Sequence, residues 1–372
     1  MGGPINVALD FDCSKNDLKT LKGSPKTVGG DFDCSYNELQ SLIGCPYLIE
    51  GNFLCFNNEL STLEGSPKEV KGTFDCSRNK LVSLVGAPVK IFDFYCKVNQ
   101  LEYLDGSPEK VENTFDCSHN KLHSLAGAPK KVYNFNCEHN ELINLKGGPI
   151  ITDSYQCNNN NLKTLDGSPL IVDFFDCSSN QLKNLLGGPT HVRICFYCTE
   201  NKLTSLEGAP NEIEQEGFYC SKNDLVTLHG APKKVGGLFA CDYNQLSSLD
   251  GAPLEVNSLA CDFNKLTTLK GSPSLIKKGL FCQGNFLVSV EGAPPSVENI
   301  HLGINKGVSE EVLLLIFQKM RENPDLPYGA VLAAAQSNIS AEDWERLDKT
   351  ALDSMKDSHK KVYGMLGNIG GI

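Results

Sequence analysis

The chain has 372 residues, and 45 acidic side chains against 34 basic ones give it a formal net charge of −11. This acidity argues against nucleic-acid and anionic-membrane partners, because phosphate groups are contacted by Lys and Arg. No run of about 18 apolar residues predicts a transmembrane helix, and Met1–Asp10 lacks the basic and then apolar layout of a secretory signal.

A repeat of 20 to 22 residues fills most of the chain. Each copy contains Cys, then Asn three residues later, then Leu two and five residues beyond the Asn, with Val290 the only substitute, then Gly-x-Pro. Ile91 to Pro108 reads I-x-x-F-x-C-x-x-N-x-L-x-x-L-x-G-x-P. The repeated cysteines are Cys13, Cys34, Cys55, Cys76, Cys96, Cys117, Cys137, Cys157, Cys177, Cys198, Cys220, Cys241, Cys261 and Cys282. A degenerate last copy has Leu302 in the Cys slot and Asn305 in the Asn slot.

Each repeat position predicts a structural role. Phe and Cys lie two residues apart among polar residues, which indicates a short strand with one buried face. The Asn amide is expected to bond backbone groups of its own and neighbouring repeats. Gly-x-Pro leaves no room for a convex helix and favours an extended return. In repeats of 21 residues, Gly29-Gly30 and Gly236-Gly237 mark an expected bulge before the strand.

The pattern from about residue 5 to 307 resembles the leucine-rich repeat. It is similar to the short type of secreted effectors from Gram-negative pathogens, although only the second of their two prolines is kept. The cysteine-containing variant also resembles repeat proteins of tailed phages. The resemblance implies a right-handed superhelix of about fifteen repeats, with one long curved parallel β-sheet and few helices on the convex side.

The repeated cysteines could suggest a metal or redox site, but we interpret them as core. Free Cys is among the most buried residue types, Leu302 fills the same slot, and thiols pointing one way suit neither a disulfide nor a zinc site. We expect no metal and no cofactor. Single cysteines spread over the chain also predict a reducing compartment. Cys195 and Cys45 fall outside the column and are expected to be exposed.

Binding is expected at the strand residue between Phe and Cys, which faces outward. This position is acidic early in the chain and aromatic or apolar later. Solvated surface is one reading of the acidic positions and a site for a basic ligand the other: Asp12, Asp33, Asp75 and Asp116. Exposed aromatic residues are typical interface anchors, and five form the predicted patch: Tyr197, Tyr219, Tyr243, Phe263 and Phe281. His119 and His139 share a turn position and are interpreted as a surface pair.

The segment 308–372 is predicted to be helical, separate from the solenoid at 1–307. Ser309 is expected to cap a helix ending at Asn323, and an Ala-rich helix should span about 328–336. Ser340 and Asp343 resemble a capping box before a helix to about Met365. The segment either caps the solenoid or docks a partner.

These observations predict a non-enzymatic scaffold that binds a protein on a concave face. The phage resemblance implies a host factor or a virion component as partner, in the cytoplasm of a bacterium or of an infected host cell. A structural or self-assembling role is the alternative. A ligase-type enzyme is disfavoured, because that class needs a catalytic Cys outside the repeats and none follows Cys282.

Overall fold

The computed structural model describes residues 5–294, 297–323, 331, 335 and 338–347. The chain forms two compact units. Unit 1 comprises Met1–Lys202 and Gly208–Pro210, and unit 2 comprises Leu203–Glu207 and Asn211–Ile372. Both units consist of stacked repeats, and one repeat is called a coil below.

Unit 1 contains two sets of parallel strands. The major strands carry the Phe–x–Cys motif, pair in chain order and keep the Phe residues in register, as Phe94 does with Phe74 and Phe115. They are β2 (Phe11–Asp12), β4 (Phe32–Asp33), β6 (Phe53–Leu54), β8 (Thr73–Asp75), β10 (Asp93–Tyr95), β12 (Thr114–Asp116), β13 (Asn134–Asn136), β14 (Ser154–Gln156), β15 (Ile171–Asp176) and β16 (His191–Tyr197). The minor strands precede them: β1 (Asn6–Val7), β3 (Thr27–Val28), β5 (Leu48–Ile49), β7 (Glu69–Val70), β9 (Lys90–Ile91) and β11 (Lys110–Val111).

Unit 2 continues the same repeat, and three of its strands have six or seven residues. Its strands are β17 (Glu212–Ile213), β18 (Gly217–Tyr219), β19 (Lys234–Ala240), β20 (Glu255–Ala260), β21 (Leu275–Phe281) and β22 (Asn299–His301). All pairs are parallel. The register of β19 against β20 shifts between Val235 and Leu238, where Gly236 and Gly237 lie. The predicted bulge at this Gly-Gly is therefore present.

The core consists of columns of equivalent side chains. Inward Phe residues stack with neighbouring ring centroids 5.0 to 5.8 Å apart, as between Phe53 and Phe74 and between Phe115 and Phe135. The Cys and Leu columns pack beside them and are fully buried from Cys34 to Cys282. Cysteine therefore serves as core, as predicted, because a small apolar side chain fits the narrow space between the strands and the leucines.

The Asn side chain joins successive coils. Asn160 is representative: its Nδ2 donates to the carbonyls of Cys157 (3.2 Å) in its own coil and Cys137 (3.0 Å) in the coil before. Its Oδ1 accepts from the backbone N of Leu142 at 3.1 Å. The residue before each Asn has φ between 50° and 56° in thirteen coils, a left-handed conformation that costs energy and that the buried amide bonds stabilise.

Gly-x-Pro begins with a tight turn rather than with an extended segment alone. Gly23 has φ +95°, and the backbone N of Ser24 donates to the carbonyl of Leu21 at 3.1 Å. A turn with its third residue at such a φ favours glycine. The next coil packs closely against it, since a Cβ on Gly44 would lie 2.9 Å from the Leu21 oxygen. Glycine is therefore favoured at this position both by its positive φ and by the close approach of the neighbouring coil.

The first C-terminal helix, α1, spans Glu310–Glu322 and ends at the C-cap Asn323, which confirms its predicted bounds. Ser309 is the N-cap residue of α1, as predicted, but its side chain makes no hydrogen bond to the helix. Its N and Oγ donate instead to the carboxylate of Asp343 at 3.1 and 3.0 Å. The acidic side chain of a neighbouring segment thus binds the N-cap residue at the positive end of α1.

The second helix, α2, spans Ala341–Arg346, and its N-cap is the predicted one: Ser340 Oγ accepts from Asp343 N at 3.1 Å. The predicted extension to Met365 is wrong as a continuous helix, because Leu347 turns to extended geometry and is buried. The expected helix at 328–336 lies almost wholly outside the described residues. Residues 348–372 also lie outside them. No helix in the described part of the chain is long and apolar enough to cross a membrane.

Candidate binding surface

The outward column consists of the residue between the inward Phe and Cys of each coil. These side chains face outward as predicted, but they are less exposed than expected. Asp116, Ala240 and Ala260 are buried, and Asp12 is exposed. The reason is the strand spacing of about 4.8 Å, at which neighbours in a column cover one another.

The predicted acidic residues shape the turn that follows each strand. In each of them, Oδ1 accepts a hydrogen bond of 2.8 to 3.0 Å from the backbone N two residues on. The set is Asp12, Asp33, Asp75 and Asp116. This is the Asx turn, in which a side-chain oxygen replaces a backbone acceptor. Sequence analysis missed this role, although the recurring Asp-Cys-Ser tripeptide is its signal.

These carboxyl groups differ in their pKa values. Burial is the largest influence on the pKa of Asp75 and raises it. The exposed Asp12 has a lowered pKa, because the backbone and hydroxyl of Ser14 donate hydrogen bonds to its charged form. Lys97 Nζ lies 3.5 Å from the carboxylate of Asp116. The acidic column is thus held by local bonds and by a lysine of its own chain.

The predicted aromatic patch does not form one cluster within either unit. Tyr197 belongs to unit 1, where its ring lies 5.5 Å from the ring of Phe174. The other four residues belong to unit 2.

In unit 2, two outward aromatic rings enclose two alanines. Tyr219, Ala240, Ala260 and Phe281 are register partners in four successive strands. The ring of Phe281 covers Gly279 in its own strand, since a Cβ there would come within 2.9 Å of it. The two alanines between these rings are buried.

Tyr243 and Phe263 lie at the left-handed turn position of successive coils. Their rings stack at 4.6 Å with 15° between planes and are 52% and 42% exposed. Their predicted exposure is confirmed. They lie beside the sheet face rather than on it.

Two further carboxylates, which sequence analysis missed, accompany these rings. Asp242 and Asp262 directly follow Cys241 and Cys261. Asp262 N donates to Asp242 Oδ1 at 3.0 Å. The signal was available, because Ala-Cys-Asp replaces Asp-Cys-Ser in these two repeats and moves the carboxyl group by two residues.

The cysteines have the properties of core residues rather than of reactive thiols. Burial raises the pKa of Cys13 to about 11 and that of Cys45 to about 12, and raises those of Cys96 and Cys241 further. The two predictions of exposed cysteines are corrected. Cys195 is fully buried, because it lies on the strand face between large neighbours, with Phe174 as its register partner. Cys45 is half-buried, and its Sγ donates to the Gly65 carbonyl at 2.9 Å.

His119 and His139 form the predicted surface pair, with rings stacked 4.3 Å apart. Glu138 Oε1 lies 4.0 Å from His119 Nε2. Across the ranges that the structure describes, no three His, Cys, Asp or Glu residues are placed to hold a metal ion.

Large apolar side chains are also exposed on the return segments of unit 1, before the major strands. Sequence analysis missed this aliphatic strip, whose residues are each more than half exposed: Tyr133, Ile150, Ile151, Leu170 and Ile171. The signal lay in the two residues that follow Gly-x-Pro, which are both apolar at Ile150-Ile151 and at Leu170-Ile171 but include a polar residue in most other repeats.

Solved structures show which fold this is. YopM from Yersinia enterocolitica WA-314 matches with a TM-score of 0.54 and 23% identity, over 80% of this chain and 74% of that chain. YopM from Yersinia pestis, described as a leucine-rich effector protein, matches with a TM-score of 0.52 and 20% identity, over 80% of this chain and 83% of that chain. The chain has the leucine-rich-repeat fold.

InlJ from Listeria monocytogenes matches at a TM-score of 0.35 with 18% identity, over 68% of this chain and 65% of that chain. No family model matches the chain, and no curated protein does.

Proposed function

We propose that this protein is a non-enzymatic scaffold that binds another protein on the outward strand face of unit 2. One observation carries the proposal: the aromatic side chains of Tyr219 and Phe281 occupy the outward column of unit 2, in register with Ala240 and Ala260 between them. Rigid aromatic side chains on an outward face are typical interface anchors. The likeness to solved leucine-rich effectors supports a binding role, although a shared fold alone does not establish function.

The outward face is concave in leucine-rich-repeat solenoids, and we place the partner there. Following the phage-type repeat, we propose a host protein or a virion component as partner, met in the cytoplasm.

The test is capture from host lysate with quantitative mass spectrometry, comparing the wild type with Tyr219→Ala/Phe281→Ala. We expect loss of specific partners from this double variant. Tyr103→Ala, which removes an exposed ring from a turn of unit 1, is the matched control and should keep them. An unchanged partner list in the double variant would contradict the proposal.

The alternative function is self-assembly, and the aliphatic strip favours it. Its side chains lie on adjacent coils and form a contiguous apolar surface, which monomeric proteins rarely expose. A second copy of the chain is the occupant that this apolar surface suits by symmetry, because an isologous dimer pairs a patch with itself. A standard interface buries roughly 800 Å² of each partner. The five side chains of the strip would therefore form only the centre of such an interface.

Light scattering at micromolar concentration tests this alternative. We expect a dimer that Ile150→Glu/Leu170→Glu converts to a monomer. A wild type that is monomeric throughout would exclude the strip as a self-association surface.

A further inference from the structure

One stretch of the outward strand face in unit 1 is neutral and polar, although acidic residues flank it. It consists of two register pairs in β13 and β14, Asn134 with Ser154 and Asn136 with Gln156. These four half-buried residues are called the neutral patch below. The amides of Asn134 and Gln156 and the hydroxyl of Ser154 make no hydrogen bond within the described residues.

The turns that follow these strands do not account for the amides. Asn136 Oδ1 accepts from Glu138 N at 2.9 Å, as the Asp residues of other coils do, and this leaves its Nδ2 without a partner among the described residues. Gln156 holds the same position in the next coil, yet its side chain makes no such turn bond in the part of the chain that the structure describes. Donors and acceptors that neither the core nor the turns use are available to a ligand.

Two aromatic rings border the neutral patch on the side of β15. Phe174 pairs in register with Ser154, and its ring lies 5.5 Å from the ring of Tyr197, with 46° between the planes. Both side chains are half-buried, so part of each ring is accessible. The patch therefore ends at an aromatic wall that begins one strand spacing, or about 4.8 Å, beyond Ser154.

A carboxylate flanks the neutral patch on each side. Asp116 pairs in register with Asn136, and Asp176 pairs with Gln156. Both accept turn bonds through Oδ1, and Lys97 Nζ lies 3.5 Å from the carboxylate of Asp116. Negative charge on both sides disfavours phosphate, sulfate and carboxylate ligands, because like charges repel at close range. The patch itself carries no charge, so we expect its ligand to be neutral.

The ring of a neutral sugar matches these groups. Each of its hydroxyls donates and accepts, as an amide does, so one Asn or Gln side chain can bind two neighbouring hydroxyls. The C–H face of the same ring is apolar and packs on an aromatic side chain. A peptide strand would instead need pockets for its alternate side chains. At the outward paired positions of β12 to β15, however, Phe174 is the only apolar residue.

We propose that the neutral patch and the ring of Phe174 bind a neutral oligosaccharide. This function goes beyond the protein scaffold proposed for unit 2, and its residues all belong to unit 1. The amides of Asn136 and Gln156 bind hydroxyls of one sugar ring, and Phe174 packs on the apolar face of the next. β12 and β15 are three strand spacings, or about 14 Å, apart, which is longer than a single sugar ring.

A glycan microarray probed with the fluorescently labelled full chain tests this inference. We expect signal on neutral oligosaccharides that is at least ten times the signal on sulfated, phosphorylated or sialylated glycans of similar length. An array on which no neutral glycan rises above background would overturn the proposal, and so would signal confined to acidic glycans. Isothermal titration calorimetry with the strongest neutral glycan then gives the affinity in solution.

Matched variants locate the site. Asn136→Asp/Gln156→Glu keeps the size of both side chains and the turn acceptor of Asn136 but removes the amide donors, so circular dichroism should remain unchanged. We expect the affinity for the strongest neutral glycan to fall at least tenfold. Gln40→Glu/Gln100→Glu adds the same two charges at exposed positions of unit 1 and should change the affinity less than twofold. Equal losses in both double variants would overturn the inference.

Phe174→Leu tests the aromatic wall. This substitution keeps an apolar side chain beside Ser154 but removes the flat ring face on which a sugar packs. We expect the affinity for the same glycan to fall at least threefold while circular dichroism stays unchanged. An affinity equal to that of the wild type would overturn the assignment of Phe174 to the site.

The unit 2 variant distinguishes this inference from the proposed function. Tyr219→Ala/Phe281→Ala should bind the glycan as the wild type does, and loss of glycan binding in it would overturn the assignment to unit 1. If the wild type leaves the array blank while Asn136→Asp/Gln156→Glu loses a protein captured from lysate, the patch binds a protein and the sugar assignment is wrong.

Discussion

The two units carry one repeat but differ in the aromatic side chains on the two faces of their strands. In unit 1 the inward column is aromatic from Phe11 to Phe196, and acidic residues recur in the outward column. In unit 2 the inward column keeps Phe218 and Phe239 and then changes to Leu259, Leu280 and Ile300, while Phe281 and His301 lie in the outward column. A core column needs only apolar volume, which Leu supplies as well as Phe. Aromatic rings on the outward face serve no core, and this difference directs attention to unit 2.

The carboxyl groups differ in the same way. In unit 1, Asp75 accepts from the backbone of its own coil at Ser77. In unit 2, Asp242 accepts from the backbone of the next coil at Asp262. A shift of two residues thus changes a turn-forming carboxylate into one that bridges coils beside the aromatic rings.

The largest expected effect tests whether the two units share one framework. Asn160→Ala in unit 1 and Asn244→Ala in unit 2 each remove a buried amide that bonds two coils. We expect both to lower the free energy of unfolding by about 3 kcal/mol, because buried backbone groups lose their partners. Urea titration followed by circular dichroism measures this.

Asn16→Ala is the control for that pair. Its amide is exposed and bonds only its own coil, so we expect a loss of under about 1 kcal/mol. If the losses of unfolding free energy in Asn160→Ala and Asn244→Ala differed by more than about 1 kcal/mol, the coils of the two units would not be equivalent.

Thiol alkylation should distinguish the units next. Cys13 and Cys45 of unit 1 are half-buried, whereas Cys220, Cys241, Cys261 and Cys282 of unit 2 are fully buried. With iodoacetamide at pH 7.5, mass spectrometry should find label on Cys13 first and none on the four cysteines of unit 2 before unfolding. The pKa of Cys13, about 11, should slow even this reaction on the order of 100-fold relative to a free thiol. Early labelling of Cys241 would contradict the described packing.

A stabilising substitution sharpens the comparison of the inward columns. Tyr155 takes the Phe position of its coil, and its buried hydroxyl has no hydrogen-bond partner among the described residues. Gly148 leaves room for it, since a Cβ there would lie 2.7 Å from the hydroxyl oxygen. We expect Tyr155→Phe to raise the free energy of unfolding by about 1 kcal/mol, because an unsatisfied polar group is removed. Phe239→Tyr in unit 2 should lower it, and stabilisation there would contradict this reasoning.

The smallest effect is a pH dependence of opposite sign at two carboxyl groups, Asp262 in unit 2 and Asp12 in unit 1. The folded-state pKa of Asp262, about 6, is raised above an unfolded value of about 3.9. The folded chain therefore holds this proton more firmly, and stability falls as pH rises from about 4 to 6. Between pH 4.5 and 7.5, Asp262→Asn should gain stability relative to the wild type, by under about 1 kcal/mol after solvent screening.

Asp12 provides the contrast, since its folded-state pKa is lowered. Its contribution is present above the unfolded pKa and is lost as pH falls through the folded one. Asp12→Asn should therefore lose stability relative to the wild type at neutral pH and not in strong acid. Urea titrations across this range check both signs, and equal signs would refute the assignment.

The sequence predicted the repeat, the inward and outward strand residues, the buried Cys column and the Asn bonds, because each depends on a position that recurs in every coil. It also predicted both helix starts, although the cap residue of α1 is bound by Asp343, a residue more than thirty positions away. Capping rules relate residues within a few positions of the helix start, so they do not predict such a partner.

What the sequence by itself determined is therefore the coil: its period, its buried columns and its turns, all fixed by bonds within one repeat or to the next. The tertiary structure decided which outward residues stand clear of their neighbours. It buried Cys195 and Asp116, engaged the acidic column in turns and left the stacked rings of Tyr243 and Phe263 exposed. Exposure depends on the side chains of adjacent coils, about 20 residues away along the chain, and no periodic pattern within one repeat contains that information.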